Sequence, residues 1–208
     1  MHTVRYNSTM ALVKSQRYWL QWLDGDADFV RIFAFDLRKT FDSVSHSILC
    51  NKLRELDINP YIFNWLISYL SDRKQRVVVD GVTTKYLNIN KGVPQGTVLG
   101  PILFSIMIND LKPVFPTSLL VKYADDVTLS FPIRSKDINS NVAQLEVNSI
   151  MQWADKNYMK LNLSKTWELL LKGRTSLLPP IPLTMVQRKQ KLRLLGVTFE
   201  ECPIVARR

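Results

Sequence analysis

Residues 119–131 read LLVKYADDVTLSF, and the adjacent carboxylates Asp125 and Asp126 decide how the rest of the chain is read. The Leu, Val, Tyr and Phe around them have the β-branched and aromatic character of strands, so two strands meeting at a tight turn are expected. Burying two carboxylates unpaired costs several kcal/mol, which places them at an exposed hairpin tip or beside a cation. Asp-Asp is also ordinary turn chemistry, so the dipeptide alone leaves both readings open. A third carboxylate bears on the choice: Asp36 lies near the end of FVRIFAFDL (29–37), another alternating strand pattern. Three carboxylates gathered on neighbouring strands make a hard, oxygen-rich cage. Such a cage suits Mg2+, which takes carboxylates, waters and substrate phosphates and needs neither histidine nor thiol.

Outward from these strands, Leu12, Val13, Tyr18, Leu20, Trp22 and Leu23 recur at helical spacing and predict a helix over 10–23, stopped by Asp24-Gly25-Asp26. Asp42 or Ser43 is expected to cap a helix over 44–56, with Ile48, Leu49, Leu53 and Leu56 inside. Asn59-Pro60 opens the next helix, YIFNWLISYL, whose aromatic stripe reads as core. QRVVVDGVTTKYLNI (75–89) predicts a hairpin turning at Asp80-Gly81. The glycine-bearing loop KGVPQGTVLGP (91–101) leads to an apolar helix over 102–111, and a longer helix over 138–158 carries Val142, Leu145, Ile150, Trp153 and Ala154. Strands WELLLKG (167–173) and LRLLGVTF (192–199) flank a proline-rich connection at 179–182, and EECPIVARR (200–208) has no pattern. Together these predict an α+β fold, an antiparallel sheet packed by helices.

Composition narrows the function classes. The 208 residues suit one domain, and 46% hydrophobic against 22% charged residues argues against global disorder. Two cysteines, Cys50 and Cys202, and two histidines, His2 and His46, exclude a disulfide framework and a thiol- or histidine-rich metal centre. The longest apolar run, Val98–Ile108, is broken by Gly100, Pro101 and Ser105 and is about half a bilayer span. With no secretory pattern in MHTVRYNSTM, a cytoplasmic or nuclear location without membrane attachment is expected. Lys and Arg number 28 against 18 Asp and Glu, a net charge of +10, with a sequence pI near 9.7. That excess suits a polyanion, although a solubilising surface or anionic lipid would also account for it.

The ordered motifs FAFDLRKTFDSVSH, KGVPQGTVLGPILFSIMINDL, KYADDVTL, the Trp153–Thr166 pattern ending LNLSKT, and LLGVTF resemble reverse transcriptases, specifically those of non-LTR (LINE-type) retrotransposons. The resemblance covers most of 28–200 and implies a right-hand polymerase palm with partial fingers. It further implies RNA-directed DNA polymerase chemistry on an RNA template and a DNA primer with dNTPs, using two Mg2+ ions, with Mn2+ as the alternative. Two such ions activate a 3′-hydroxyl and stabilise the leaving pyrophosphate. Asp36 and Asp125 become the principal metal ligands, with Asp126 in the same cluster. Leu37, Arg38, Lys39 and Thr40 would face the triphosphate through their backbone, and Phe41 matches the steric gate that excludes a ribose 2′-hydroxyl. An ordinary core phenylalanine is the competing reading of Phe41. Gly92, Pro94, Gln95 and Gly96 resemble the segment against the nascent base pair. Lys165 aligns with a lysine near the departing pyrophosphate, though a solvated surface lysine explains it equally. Asp42 needs no role beyond the helix cap, and Arg73-Lys74-Gln75-Arg76 reads as a basic turn or a contact to template phosphates.

Only about 35 residues precede Asp36, so upstream fingers motifs and a thumb after LLGVTF are expected to be absent. The expected organisation is one reverse transcriptase fragment over 1–208, partial fingers plus palm, with an off-pattern tail at 200–208. A catalytically inactive retrotransposon-derived remnant that only binds nucleic acid is the alternative, and the oligomeric state stays open.

Overall fold

The structure, a computed structural model, describes residues 8–201; most of the patternless tail, with Cys202, lies outside them, as does His2. The chain forms two compact units, residues 8–37 with 112–153 and 160–201, and residues 38–111 with 154–159.

The first unit is built on a mixed sheet. Helix α1 (Ser8–Asp24) precedes β1 (Phe29–Arg38); β6 (Leu119–Tyr123) and β7 (Asp126–Ile133) form the expected hairpin; α5 (Val142–Lys156), β8 (Lys160–Leu161), β9 (Trp167–Lys172), β10 (Gln187–Arg188), β11 (Lys191–Leu194) and β12 (Val197–Glu200) follow. The strand order is β10-β9-β1-β7-β6, with β8 also on β1, and only the β10–β9 pairing is parallel among the registers of this path. Central β1 is buried on both faces over Phe29–Phe33, Arg31 included. On one face Val30 and Ile32 join Trp19, Leu169, Leu171, Leu192 and Leu194 in a single cluster. There the Trp19 indole N–H donates to the Ser130 hydroxyl at 2.8 Å, satisfying both buried groups. On the other face Phe29, Phe33 and Phe35 sit opposite Ile133, Leu129 and Val127 of β7.

Two expectations need correction in this unit. LRLLGVTF is not one strand: it folds as β11 and β12 around Leu195-Gly196, both at positive φ, so that Phe199 packs edge-on against Trp19 at 5.2 Å. The long helix begins at Val142, not 138, and Leu145 is exposed. Its inward stripe runs through Ala143, Glu146, Val147 and Ile150, as about 100° of rotation per residue requires once Ala143 points inward. Glu146 is fully buried because its two oxygens accept the Val114 and Phe115 N–H groups at 2.9 and 3.0 Å.

The second unit contains α2 (His46–Arg54), α3 (Pro60–Leu70), the nested hairpins β2–β5 (Arg73–Gln75 with Leu87–Ile89) and β3–β4 (Val78–Val79 with Val82–Thr83), and α4 (Leu99–Met107). Asp80-Gly81 turns the inner hairpin at positive φ, as expected. Neither Asp42 nor Ser43 caps α2. Its N-cap is Ser45 without a side-chain bond, while the Ser43 hydroxyl turns back to the Lys39 carbonyl at 2.7 Å. Because α2 ends at Arg54, Leu56 is exposed. Helix α4 starts three residues early, since Gly100 and Pro101 fit a first turn in which proline lacks no needed donor. The aromatic stripe of α3 is not core: only Leu66 and Leu70 are buried, and Tyr61 is 85% and Trp65 53% exposed. Helix α3 is apolar on nearly every face, so periodicity could not say which side would be covered.

Candidate active site

Asp36 sits near the end of β1 directly opposite Asp126, the first residue of β7, and Tyr123 of β6 faces Asp126 from the other side. Residues opposed in an antiparallel pair bring their Cβ atoms to about 4.5–5.5 Å, a separation at which like charges destabilise the sheet. Asp125 completes the group from the turn, where Ala124 adopts φ of +49°, a left-handed conformation costing about 1 kcal/mol for a residue with a Cβ. Among the described residues, none of the three carboxylates forms an ion pair with Lys or Arg. The Asp126 carboxyl is pushed above its ordinary range by loss of hydration, then by the charges of Asp125 and Asp36. Its side chain still reaches solvent, so the repulsion is the part of that shift a cation would relieve.

The cage expected from sequence is not preformed: among the described residues no three His, Cys, Asp or Glu side chains close around a metal position. The donor set nevertheless fits a hard cation, being all carboxylate, uncompensated and open to solvent. Mg2+ commonly takes one or two carboxylates and completes its octahedron with waters and substrate phosphates.

Asn162 was not singled out from sequence. Its N–H donates to the Asp36 carbonyl at 2.8 Å, and its side-chain amide donates to one Asp36 carboxylate oxygen at 2.9 Å. The Ser164 hydroxyl in turn donates to the Asn162 amide oxygen at 2.8 Å, fixing which way the amide points. The signal lay in LNLSKT, but an asparagine after a short strand is ordinary turn chemistry and gave no reason to look. Lys165 closes the same turn, its N–H on the Asn162 carbonyl at 2.9 Å and its side chain exposed.

The remaining expected residues divide. Leu37 and Thr40 are buried, whereas Arg38 and Lys39 are exposed, Lys39 at φ of +46°. In the second unit, Phe41 is half-buried with its ring 5.1 Å from that of Phe104. The segment after Phe41 is stitched to the glycine loop: Val93 N–H donates to the Phe41 carbonyl and Gly92 N–H to the Val44 carbonyl, both at 2.7 Å. The His46 Nε2 lies 2.7 Å from the Gly92 carbonyl, so that nitrogen must carry the proton. Gly92, at φ of +86°, has no room for a side chain, since a Cβ would lie 3.0 Å from the Asp42 backbone. The Gln95 amide donates to Asp42 at 3.0 Å, giving Asp42 a partner in place of the expected cap. Gln95 and Gly96 are exposed. Gln95 lines a cleft of about 650 Å3 together with Arg73, Lys74, Asn88 and Lys91.

Comparison with known proteins identifies the family and the fold. Residues 26–199 match the family model described as reverse transcriptase (RNA-dependent DNA polymerase). The chain is 30% identical over 176 residues to the RNA-directed DNA polymerase from mobile element jockey of Drosophila melanogaster, covering 79% of this chain and 19% of that protein. It is 31% identical over 173 residues to the probable polymerase from transposon X-element of the same fly, again covering 79% and 19%. The chain thus spans about a fifth of the length of these relatives. Among solved structures, telomerase of Candida albicans in complex with a fragment of telomeric RNA superimposes with a TM-score of 0.66 at 19% identity, over 95% of this chain and 33% of that one. Telomerase of Candida tropicalis gives 0.67 at 15% identity, over 97% and 34%. Identities this low show a shared fold, that of a polymerase palm. The family match and the fly relatives go further: the chain belongs to the reverse transcriptase family, with relatives among the non-LTR retrotransposon polymerases.

Proposed function

We propose that the chain carries the nucleotidyl-transfer site of an RNA-directed DNA polymerase, extending a DNA primer on an RNA template with dNTPs. The observation that carries this is the Asp36–Asp126 pair, set opposite one another without a basic partner and joined by Asp125. Reverse transcriptases use divalent metal ions; here Asp36, Asp125 and Asp126 would hold them, as two Mg2+ or alternatively Mn2+. When bound, such ions lower the pKa of the attacking hydroxyl and neutralise the leaving pyrophosphate. The primer 3′-oxygen then forms its bond to the dNTP α-phosphorus while the bond to the pyrophosphate oxygen breaks in line. The chain's own residues orient and screen. The backbone of Leu37, Arg38, Lys39 and Thr40 would meet the triphosphate, Phe41 would exclude a 2′-hydroxyl, and Gln95 and Gly96 would lie against the new base pair. Lys165 would protonate or screen the departing pyrophosphate. We assign both units to a single reverse transcriptase fragment, partial fingers plus palm.

A second reading, a remnant that binds nucleic acid without catalysis, draws on the net charge of +10, which attracts a polyanion whether or not the acidic group turns over. Primer extension on an RNA template with Mg2+ or Mn2+, comparing the chain with Asp125→Ala, separates the two. Extension by the wild-type chain alone, abolished by chelator, is expected. Equal extension by both proteins would overturn the assignment of the site. No extension by either, from a folded chain that binds RNA, would establish the remnant.

A further inference from the structure

Helix α3 and the start of β2 carry a ladder that the acidic site does not use. Tyr61, Trp65 and Tyr69 recur every fourth residue, and Arg73 continues the spacing. The Trp65 and Tyr69 rings stack with centroids 5.8 Å apart and planes at 26°, and the Arg73 guanidinium lies 5.4 Å over the Tyr69 ring. Tyr61 is 85%, Ile62 54% and Trp65 53% exposed, an unusual outlay of large apolar surface on one short helix. In the adjoining hairpin Arg76 covers the ring of Tyr86 at 4.9 Å.

Four residues of α-helix advance about 6 Å along one face, close to twice the ~3.4 Å thickness of a stacked base. Flat rings at that spacing offer successive platforms to unpaired bases, and stacking on them tolerates any sequence because every base has a π-face. Charge selects the same occupant. From Tyr61 to Lys91 the chain carries Arg73, Lys74, Arg76, Lys85 and Lys91 against only Asp72 and Asp80. An apolar protein surface closing over the ladder would have to strip water from guanidiniums already seated on rings, whereas a phosphate backbone meets them with opposite charge.

We propose that the Tyr61–Trp65–Tyr69–Arg73 face docks single-stranded nucleic acid, its bases on the exposed Tyr61 and Trp65 rings and its phosphates on Arg73, Lys74 and Arg76. The inference does not depend on the acidic site, because binding is read without divalent metal or dNTP.

The test is fluorescence anisotropy of the whole chain with labelled oligouridine and oligothymidine of about a dozen nucleotides, and with a duplex of equal length. Tyr61→Ala/Trp65→Ala is expected to weaken single-strand binding about 25-fold or more, from a loss of at least about fivefold per ring. Trp65→Phe should retain most of the affinity, and duplex binding should be unchanged. Arg73→Gln is expected to flatten the salt dependence, which the ring variants leave intact. Thermal melting confirms that the exposed substitutions leave the fold intact. Unchanged oligonucleotide affinity in the double variant would overturn the proposal, as would equal loss for single strand and duplex. Self-association of the wild-type chain that disappears in the double variant while RNA affinity persists would assign the face to a protein partner instead.

Discussion

Asn162 holds Asp36 twice, through backbone and side chain, so one carboxylate oxygen is occupied and the other is left to act. Groups that orient a metal-ligating carboxylate typically control metal affinity or activity by about 10–100-fold when removed. Asn162→Ala is therefore expected to raise the Mn2+ or Mg2+ concentration needed for half-maximal primer extension by about that factor, with little change in the KM for dNTP. A change in dNTP KM alone would place Asn162 in substrate binding instead. The opposite sign of effect belongs to Asp126. Its carboxyl is raised by lost hydration and by Asp125 and Asp36, so the folded chain carries a penalty that is absent below the unfolded pKa and fully present above the folded one. Asp126→Asn should accordingly raise Tm only slightly in chelator near neutral pH, because solvent screens an exposed carboxyl, lose that advantage as pH falls into the carboxylate range, and abolish extension. The three carboxylates were legible because Asp-Asp between apolar strands and Asp36 ending another are anomalies on apolar strands. Asn162, His46 and the Asp42–Gln95 pair were not, since each is an ordinary polar residue whose partner is set by tertiary folding.

Elements whose sequence states a period and a stop were read to within a residue or two. β1 and the β6–β7 hairpin declare themselves by alternation, and the nested hairpin by Asp80-Gly81. The largest departures fall where the pattern does not say which side of an element is covered or where it turns. In α3 nearly all positions are apolar, and in LRLLGVTF the apolar residues on either side of Gly196 conceal a turn at Leu195-Gly196. A buried charge cluster was also invisible. Glu168 on β9 is fully buried between Arg31 of β1, 2.7 Å away, and Arg188 of β10, 2.6 Å away, tying three strands together. One Glu168 oxygen has no hydrogen-bond partner, and Arg31 spends its outer nitrogen on the Ile181 carbonyl at 3.0 Å. Burial pulls the Arg31 pKa down, and the Glu168 charge opposes it. Arg31→Met leaves a buried carboxylate half-compensated and should cost about 3–5 kcal/mol in urea unfolding. Replacing all three with Met, Leu and Met should cost much less, because no buried charge remains. Equal losses in the single and triple variants would mean that packing, not charge, holds these strands together.

For the whole molecule, the acidic group and the basic excess pull in different directions. Three uncompensated carboxylates sit in a chain of net charge +10, so the positive potential must be carried elsewhere, and part of it is gathered around the cleft lined by Arg73, Lys74 and Lys91. No helix among the described residues is long and apolar enough to cross a membrane. Such a distribution suits a polyanion, the partner proposed above. Each phosphate neutralised releases condensed counterion, which makes log affinity fall linearly with log salt. If six or more phosphates are engaged, binding of single-stranded RNA by the whole chain should weaken by about 300-fold or more between ~50 and ~200 mM salt. Asp125→Ala removes a negative charge from the palm without touching the basic residues, so it should bind RNA at least as tightly as the wild type, along the same slope, while extending nothing. A shallow slope would mean that the excess charge serves as a solvated surface and that too few phosphates are gripped for a polymerase holding its template by this chain alone. A steep slope shared by both proteins would instead separate grip from chemistry, with affinity set by the cations and turnover by Asp36, Asp125 and Asp126.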